Sequence, residues 1–139
     1  MESKVPYATQ EEYDKHVIHL RDVPTISLPL QGTGHVESRI VSVGKMTVSF
    51  FRNEPGSILP VTHHHENEQI MIVTDGAAEL EIDGKMHHIE KGDVLIYPPN
   101  MEHGAGTVSD LGLVGIDIFT PPRQDLVAKL EEAKKSQKS

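Results

Sequence analysis

His63 and His65 stand one residue apart in the run His63-His64-His65, and this spacing restricts the backbone that carries them. Helical side chains that meet are three or four residues apart, whereas alternate residues of a strand share a face. Both imidazoles can therefore reach one ion only from an extended chain. Gln69 has the same parity, and a curled sheet would bring the later His103 within reach. The flanks agree with extended structure. Pro60 precedes the cluster, the stretch from Gln69 to Thr74 is rich in β-branched residues, and Asp75-Gly76 is a turn signal. Residues 77 to 90 read as an alternating strand, an Asp83-Gly84 hairpin turn and a returning strand. The expectation is a metal site written across strands, with His63, His65, Gln69 and His103 as ligands.

Three neutral imidazoles and one neutral amide would leave the ion its full positive charge, where a Glu ligand would cancel one unit. Such an ion is the stronger Lewis acid. Imidazole suits Ni, Zn, Fe and, more weakly, Mn, so the ligands imply one divalent transition metal without selecting it. In a regular strand Glu68 points away from Gln69; a bulge there would make Glu68 the ligand instead. His64 is read as solvated or hydrogen-bonded, and His16, His19, His35, His87 and His88 as surface or cross-strand residues.

The 139 residues suffice for one core, and the 11 Gly and nine Pro fit many short strands joined by turns, which points to an all-β domain. With aromatics at only 4% and no Trp, the core is expected to be built from Val, Ile, Leu and Met. A core that lean gains from dimerisation, and a homodimer through the N-terminal segment or a sheet edge is expected. A net charge of −8 without a Lys/Arg cluster argues against nucleic acid or an anionic membrane as partner. A small-molecule substrate fits better. There is no apolar run long enough for a membrane span, no signal-like start and no Cys, and a cytoplasmic location is the default expectation.

Along the chain, Thr9 to Glu12 could open a short helix or belong to an irregular arm. Broken extended segments follow, punctuated by Pro24, Pro29, Gly32 and Gly34. Residues 45 to 51, 91 to 99 and 111 to 119 read as strands, the last with glycines that permit a bend or close packing. Leu126 and Leu130 carry a helical spacing that fades into a frayed tail.

The two histidine segments resemble the paired motifs of the small single-domain cupins. In the first motif His63, His65 and Gly76 match, and Gln69 stands where Glu is usual. In the second Gly92, Pro98 and His103 match, while Asn100 replaces Gly and Thr107 replaces Asn. The resemblance covers about residues 40 to 120. It implies a double-stranded β-helix, or jelly-roll barrel, over 40–120, with an N-terminal arm and first strands in 1–39 and a C-terminal helix and tail in 121–139.

A second constellation narrows the likeness. Asp117, Phe119 and Arg123 follow at spacings of two and four, and an Asp inside an apolar strand is costly to bury unless it is paired or working. With the Gln in the first motif, this stretch resembles the KdgF-type cupins, which open unsaturated uronates into linear keto forms. The resemblance implies a metal on His63, His65, Gln69 and His103. It further implies Asp117 as proton carrier, Arg123 as partner of the uronate carboxylate and contributor to catalysis, and Phe119 as a wall for the sugar. The chemistry implied is non-redox: ring opening, tautomerisation or isomerisation. A structural pairing of Arg123 with Asp117 or Asp125 is the plainer alternative for that residue. At the level of function the alternatives are a polyketide cyclase- or dehydratase-type cupin, an Fe(II) dioxygenase, and a non-enzymatic module that binds a small ligand.

Overall fold

The computed structural model describes residues 15–29, 34–60 and 66–137. Eight strands occupy most of the described residues: β1 (Ile26–Pro29), β2 (His35–Val43), β3 (Met46–Asn53), β4 (Ile58–Leu59), β5 (Glu68–Ile82), β6 (Lys85–Glu90), β7 (Val94–Tyr97) and β8 (His103–Thr120). A single 3-10 turn (Leu20–Asp22) precedes β1, and among the described residues one α-helix, α1 (Gln124–Gln137), follows the last strand.

β5 and β8 are long because each belongs to two layers. The first half of β5 pairs with the second half of β8, from Glu68 opposite Thr120 to Gly76 opposite Leu113. The second half of β5 pairs with the first half of β8, from Ala78 opposite Val108 to Ile82 opposite His103. Around the first pairing the order is β1-β2-β3-β8-β5-β7; around the second, β4 and β6 add to the outer sides. Every pairing is antiparallel. The side chains that form the core come from both layers: Phe51, Val73, Leu95, Tyr97 and Leu113 from one, Ala78, Leu80, Ile89 and Val108 from the other. This is a jelly-roll barrel, as the motifs imply.

Asp75-Gly76, expected as a turn, is instead the corner of a continuous strand. The register shifts between Val73 and Asp75, where β5 carries the extra residue, and again between Gly76 and Ala78, where β8 carries the extra residues, so both strands bend there. Gly76 takes φ +80°, and a Cβ on it would lie 2.0 Å from the Gly112 carbonyl oxygen. A local turn signal and a bulge ask for the same backbone, and the partner strand decides between them. Asp83-Gly84, with φ of 50° and 79°, is the hairpin turn its sequence indicates.

The core is less aliphatic than composition suggests. Phe51 and Tyr97 are buried in it and no Met is fully buried among the described residues. Helix α1 turns Val127 and Leu130 inward toward β1 and β2, and it persists through Gln137 where fraying was expected. The Thr9–Glu12 expectation lies outside the described residues.

Candidate functional site

Two neighbouring rungs of the first layer build the site. One runs Thr47, Phe119, Gln69, Tyr97 across β3, β8, β5 and β7; the next runs Ser49, Asp117, Met71, Leu95. Six of these eight side chains are buried, with Asp117 and Met71 partly so. The parity read from the sequence therefore places Asp117 and Phe119 on one face, as expected, and puts Gln69 on the same interior. No register shift occurs between Glu68 and Ile72, so Glu68 faces outward and is exposed while Gln69 is 5% exposed. The amide, not the carboxylate, is the group turned into the barrel.

Gln69 donates from Nε2 to Asp117 Oδ1 at 2.9 Å. The ionised carboxylate only accepts, so in that form this bond orients the amide and turns Oε1, the oxygen a metal would take, away from Asp117. His103 sits at the start of β8, 8% exposed, and its Nδ1 lies 2.9 Å from the Met101 carbonyl oxygen. That carbonyl can only accept, so Nδ1 carries the proton and Nε2 is the basic nitrogen. This is the arrangement in which a metal-binding histidine is held. The His103 ring stacks on Tyr97 with centroids 4.0 Å apart, and Tyr97 stands opposite Gln69. Gln69 and His103, far apart in sequence, thus share one neighbour.

Among the described residues no three His, Asp or Glu side chains gather as an ion would need. His63 and His65 lie outside the described residues. The donor chemistry at Gln69 and His103 fits a divalent ion, and cupins commonly bind a metal.

Burial raises the Asp117 pKa from 3.8 to about 7, against the opposing pull of the Gln69 hydrogen bond and the Arg123 charge. Arg123 sits over the Phe119 ring, 4.7 Å from its centroid, and its Nε and Nη2 donate to both carboxylate oxygens of Asp125 at 2.9 and 2.7 Å. Of the two structural partners considered for Arg123, Asp125 is the one it takes. Burial works to raise the Asp125 pKa, but the hydrogen bond and charge of Arg123 prevail and lower it. The Arg123 backbone N–H is anchored on Thr47 Oγ1 at 3.0 Å, which ties the residue after the barrel to the first rung.

These groups line a cavity of about 240 Å³ that includes Gln69, Tyr97, His103, Asp117, Phe119 and Arg123. A larger cavity of about 340 Å³ lies elsewhere, between β2 and α1, and holds none of them. His16, His19, His35, His87 and His88 are exposed, and His88 makes a cross-strand pair with Glu79. Asn100, in place of the usual motif glycine, takes φ 63°, a left-handed conformation that Asn tolerates better than most residues. Tyr97 is the site residue the sequence reading passed over. β7 reads Val-Leu-Ile-Tyr, apolar on both faces, so hydrophobicity alone gave no parity to show that Leu95 and Tyr97 point inward.

A bent antiparallel barrel with a polar cluster at one end of its interior is the architecture of a cupin. The cupin domain family matches residues 49–119, half of the chain, and the chain belongs to that family. Solved structures of similar fold include KdgF from Halomonas sp., 25% identical over 66% of this chain and 83% of that one, with a TM-score of 0.60. A cupin-like protein from Thermotoga maritima is 31% identical over 68% and 79%, TM-score 0.57. A sugar phosphate isomerase of the cupin superfamily from Silicibacter pomeroyi is 22% identical over 76% of each chain, TM-score 0.61, a likeness of fold alone.

Proposed function

We propose that the chain is a metal-dependent cupin enzyme that opens the ring of an unsaturated uronate and tautomerises the product, without redox chemistry. The observation that carries the reading is the 2.9 Å bond from Gln69 to Asp117, which joins the candidate amide ligand to the candidate proton carrier inside one small cavity. Likeness to KdgF from Halomonas sp. supports it.

His63, His65, Gln69 and His103 would hold the ion. When bound, it supplies Lewis-acid stabilisation of negative charge on substrate oxygen. The remaining steps belong to side chains. The anomeric hydroxyl loses a proton, the bond from C1 to the ring oxygen breaks, and C4 of the released enol gains a proton, so atoms and electrons balance. Asp117, with a pKa near neutrality, is suited to moving that proton in either direction. Arg123 keeps the edge at Nη1 for the uronate carboxylate while Asp125 holds the other edge, and Phe119 bounds the sugar face.

The outer face of the first layer, rather than the N-terminal segment or a sheet edge, suggests how copies associate. On the outer face, Val41, Val48, Ile118, Ile70 and Ile96 form one rung, and Phe50, Ile116, Ile72 and Val94 most of the next. Ile96 is 66% exposed and Val94 57%. Five strands at ~4.8 Å spacing make a patch about 20 Å across, the kind of apolar surface that marks an interface. A second copy of the chain, presenting the same apolar face about a two-fold axis, is the occupant we infer.

The test of function is turnover of a C4–C5 unsaturated uronate, followed by loss of the double bond's ultraviolet absorbance, with metal content measured on the same samples. Wild type should carry about one metal and turn over. Asp117→Asn should keep the metal and lose roughly 100-fold or more in rate, while His103→Ala should lose the metal. Full activity in Asp117→Asn, or a metal-loaded wild type inert toward every unsaturated uronate, would overturn the reading. Oxygen uptake with bound iron would replace it with the dioxygenase alternative.

A further inference from the structure

We infer that the Tyr97 hydroxyl is a substrate-binding group: a hydrogen-bond donor aimed at an oxygen of the bound sugar acid. The inference rests on the function proposed above. Tyr97 closes β7 opposite Gln69, is 0% exposed, and lines the cavity that holds Gln69, His103 and Asp117. Its ring is fully used: it packs in the core and stacks on His103 at 4.0 Å. Its hydroxyl is not. Among the described residues that oxygen is buried with no hydrogen-bond partner.

A buried phenol without a partner costs free energy, whereas Phe would keep the stacking and burial without that penalty. A hydroxyl in that situation is explained when its partner arrives with the ligand. Several features fit a substrate oxygen. The Gln69 amide opposite donates from Nε2 to Asp117, and no hydrogen bond joins it to the phenol oxygen. A sugar acid presents hydroxyl and carbonyl oxygens around its whole periphery, and one of them within the rung of Gln69 and Phe119 would meet this donor.

The test is Tyr97→Phe, assayed with the metal-loaded protein against a C4–C5 unsaturated uronate and, separately, by thermal unfolding without ligand. Loss of one neutral hydrogen bond to substrate should raise KM about 5- to 15-fold with kcat changed less than about twofold, while the melting temperature stays level or rises because an unpaired group has been removed. Unchanged KM in a variant whose wild-type parent turns over would defeat this inference and leave the proposed function standing. A clear fall in melting temperature would also defeat it, since the hydroxyl would then have a structural partner. If wild type itself neither binds nor converts any unsaturated uronate, both fall together.

Discussion

Replacing Asp117 by Asn should reverse the usual effect of removing a charged residue from a protein interior, and by a pH-dependent amount. In the folded chain the Asp117 carboxyl has a pKa of about 7, raised from 3.8 chiefly by burial. The folded state therefore binds this proton more tightly than the unfolded state. Below about pH 4 both states hold it and the group does not affect stability. Between pH 4 and 7 the unfolded chain releases the proton and the folded chain does not, so stability falls as pH rises; above 7 the whole effect is present. A carboxyl moved from 3.8 to about 7 corresponds to about 4 kcal/mol against folding of the ionised form. Asn is nearly isosteric, and its Oδ1 can still accept the Gln69 N–H. In urea unfolding with a chelator present, Asp117→Asn should match wild type near pH 4 and exceed it at pH 8 by up to about 4 kcal/mol. Parallel profiles for the two proteins, or a variant less stable than wild type at pH 8, would refute the reasoning.

Gly115 admits no side chain: a Cβ there would lie 2.6 Å from the Ile72 carbonyl oxygen and 2.8 Å from the Phe51 ring. Gly115→Ala should cost roughly 1–3 kcal/mol, seen as a lower melting temperature, and Phe51→Leu should recover only part of it because the backbone contact remains. Ile96→Glu, at the exposed end of the outer apolar face, should abolish the dimer proposed above, read by sedimentation against wild type, without loss of β-sheet circular dichroism; a dimer that survives the change places the interface elsewhere.

The sequence was most informative where two periodicities agreed. Alternation put Asp117 and Phe119 on one face, and the barrel places both on interior rungs with Gln69. The glycines of the last strand were read as sites of bending or close packing, and Gly115 and Gly112 provide that. Long-range pairing was not legible in local pattern. Asp75-Gly76 has the residues of a turn, and only the approach of Gly112 on a distant strand makes it a bulge. Gln69 was read as the ligand and Glu68 as the alternative if a bulge fell there, and only the register, unshifted between Glu68 and Ile72, shows that Gln69 is the one turned inward. Tyr97 was hidden for a related reason, since β7 is apolar on both faces and only its pairing with Gln69 shows which side is inside. The pairing of Arg123 with Asp125 was one of two structural options, and the geometry of the segment after β8 selected it.

The bend shared by β5 and β8 makes the barrel indivisible. Gln69 and Leu80 belong to the same strand on either side of the Gly76 corner, and so do Asp117 and His103 on either side of Gly112. β5 and β8 cannot open around Gln69, Asp117 or His103 without disturbing the opposite layer, because the same two strands pair in both. Amide protons of Gln69, Asp117 and Leu80 should therefore exchange together, through whole-molecule unfolding rather than local opening. Substitutions that loosen β5 or β8 are expected to erode the Gln69, Asp117 and His103 part of the site in step with the core.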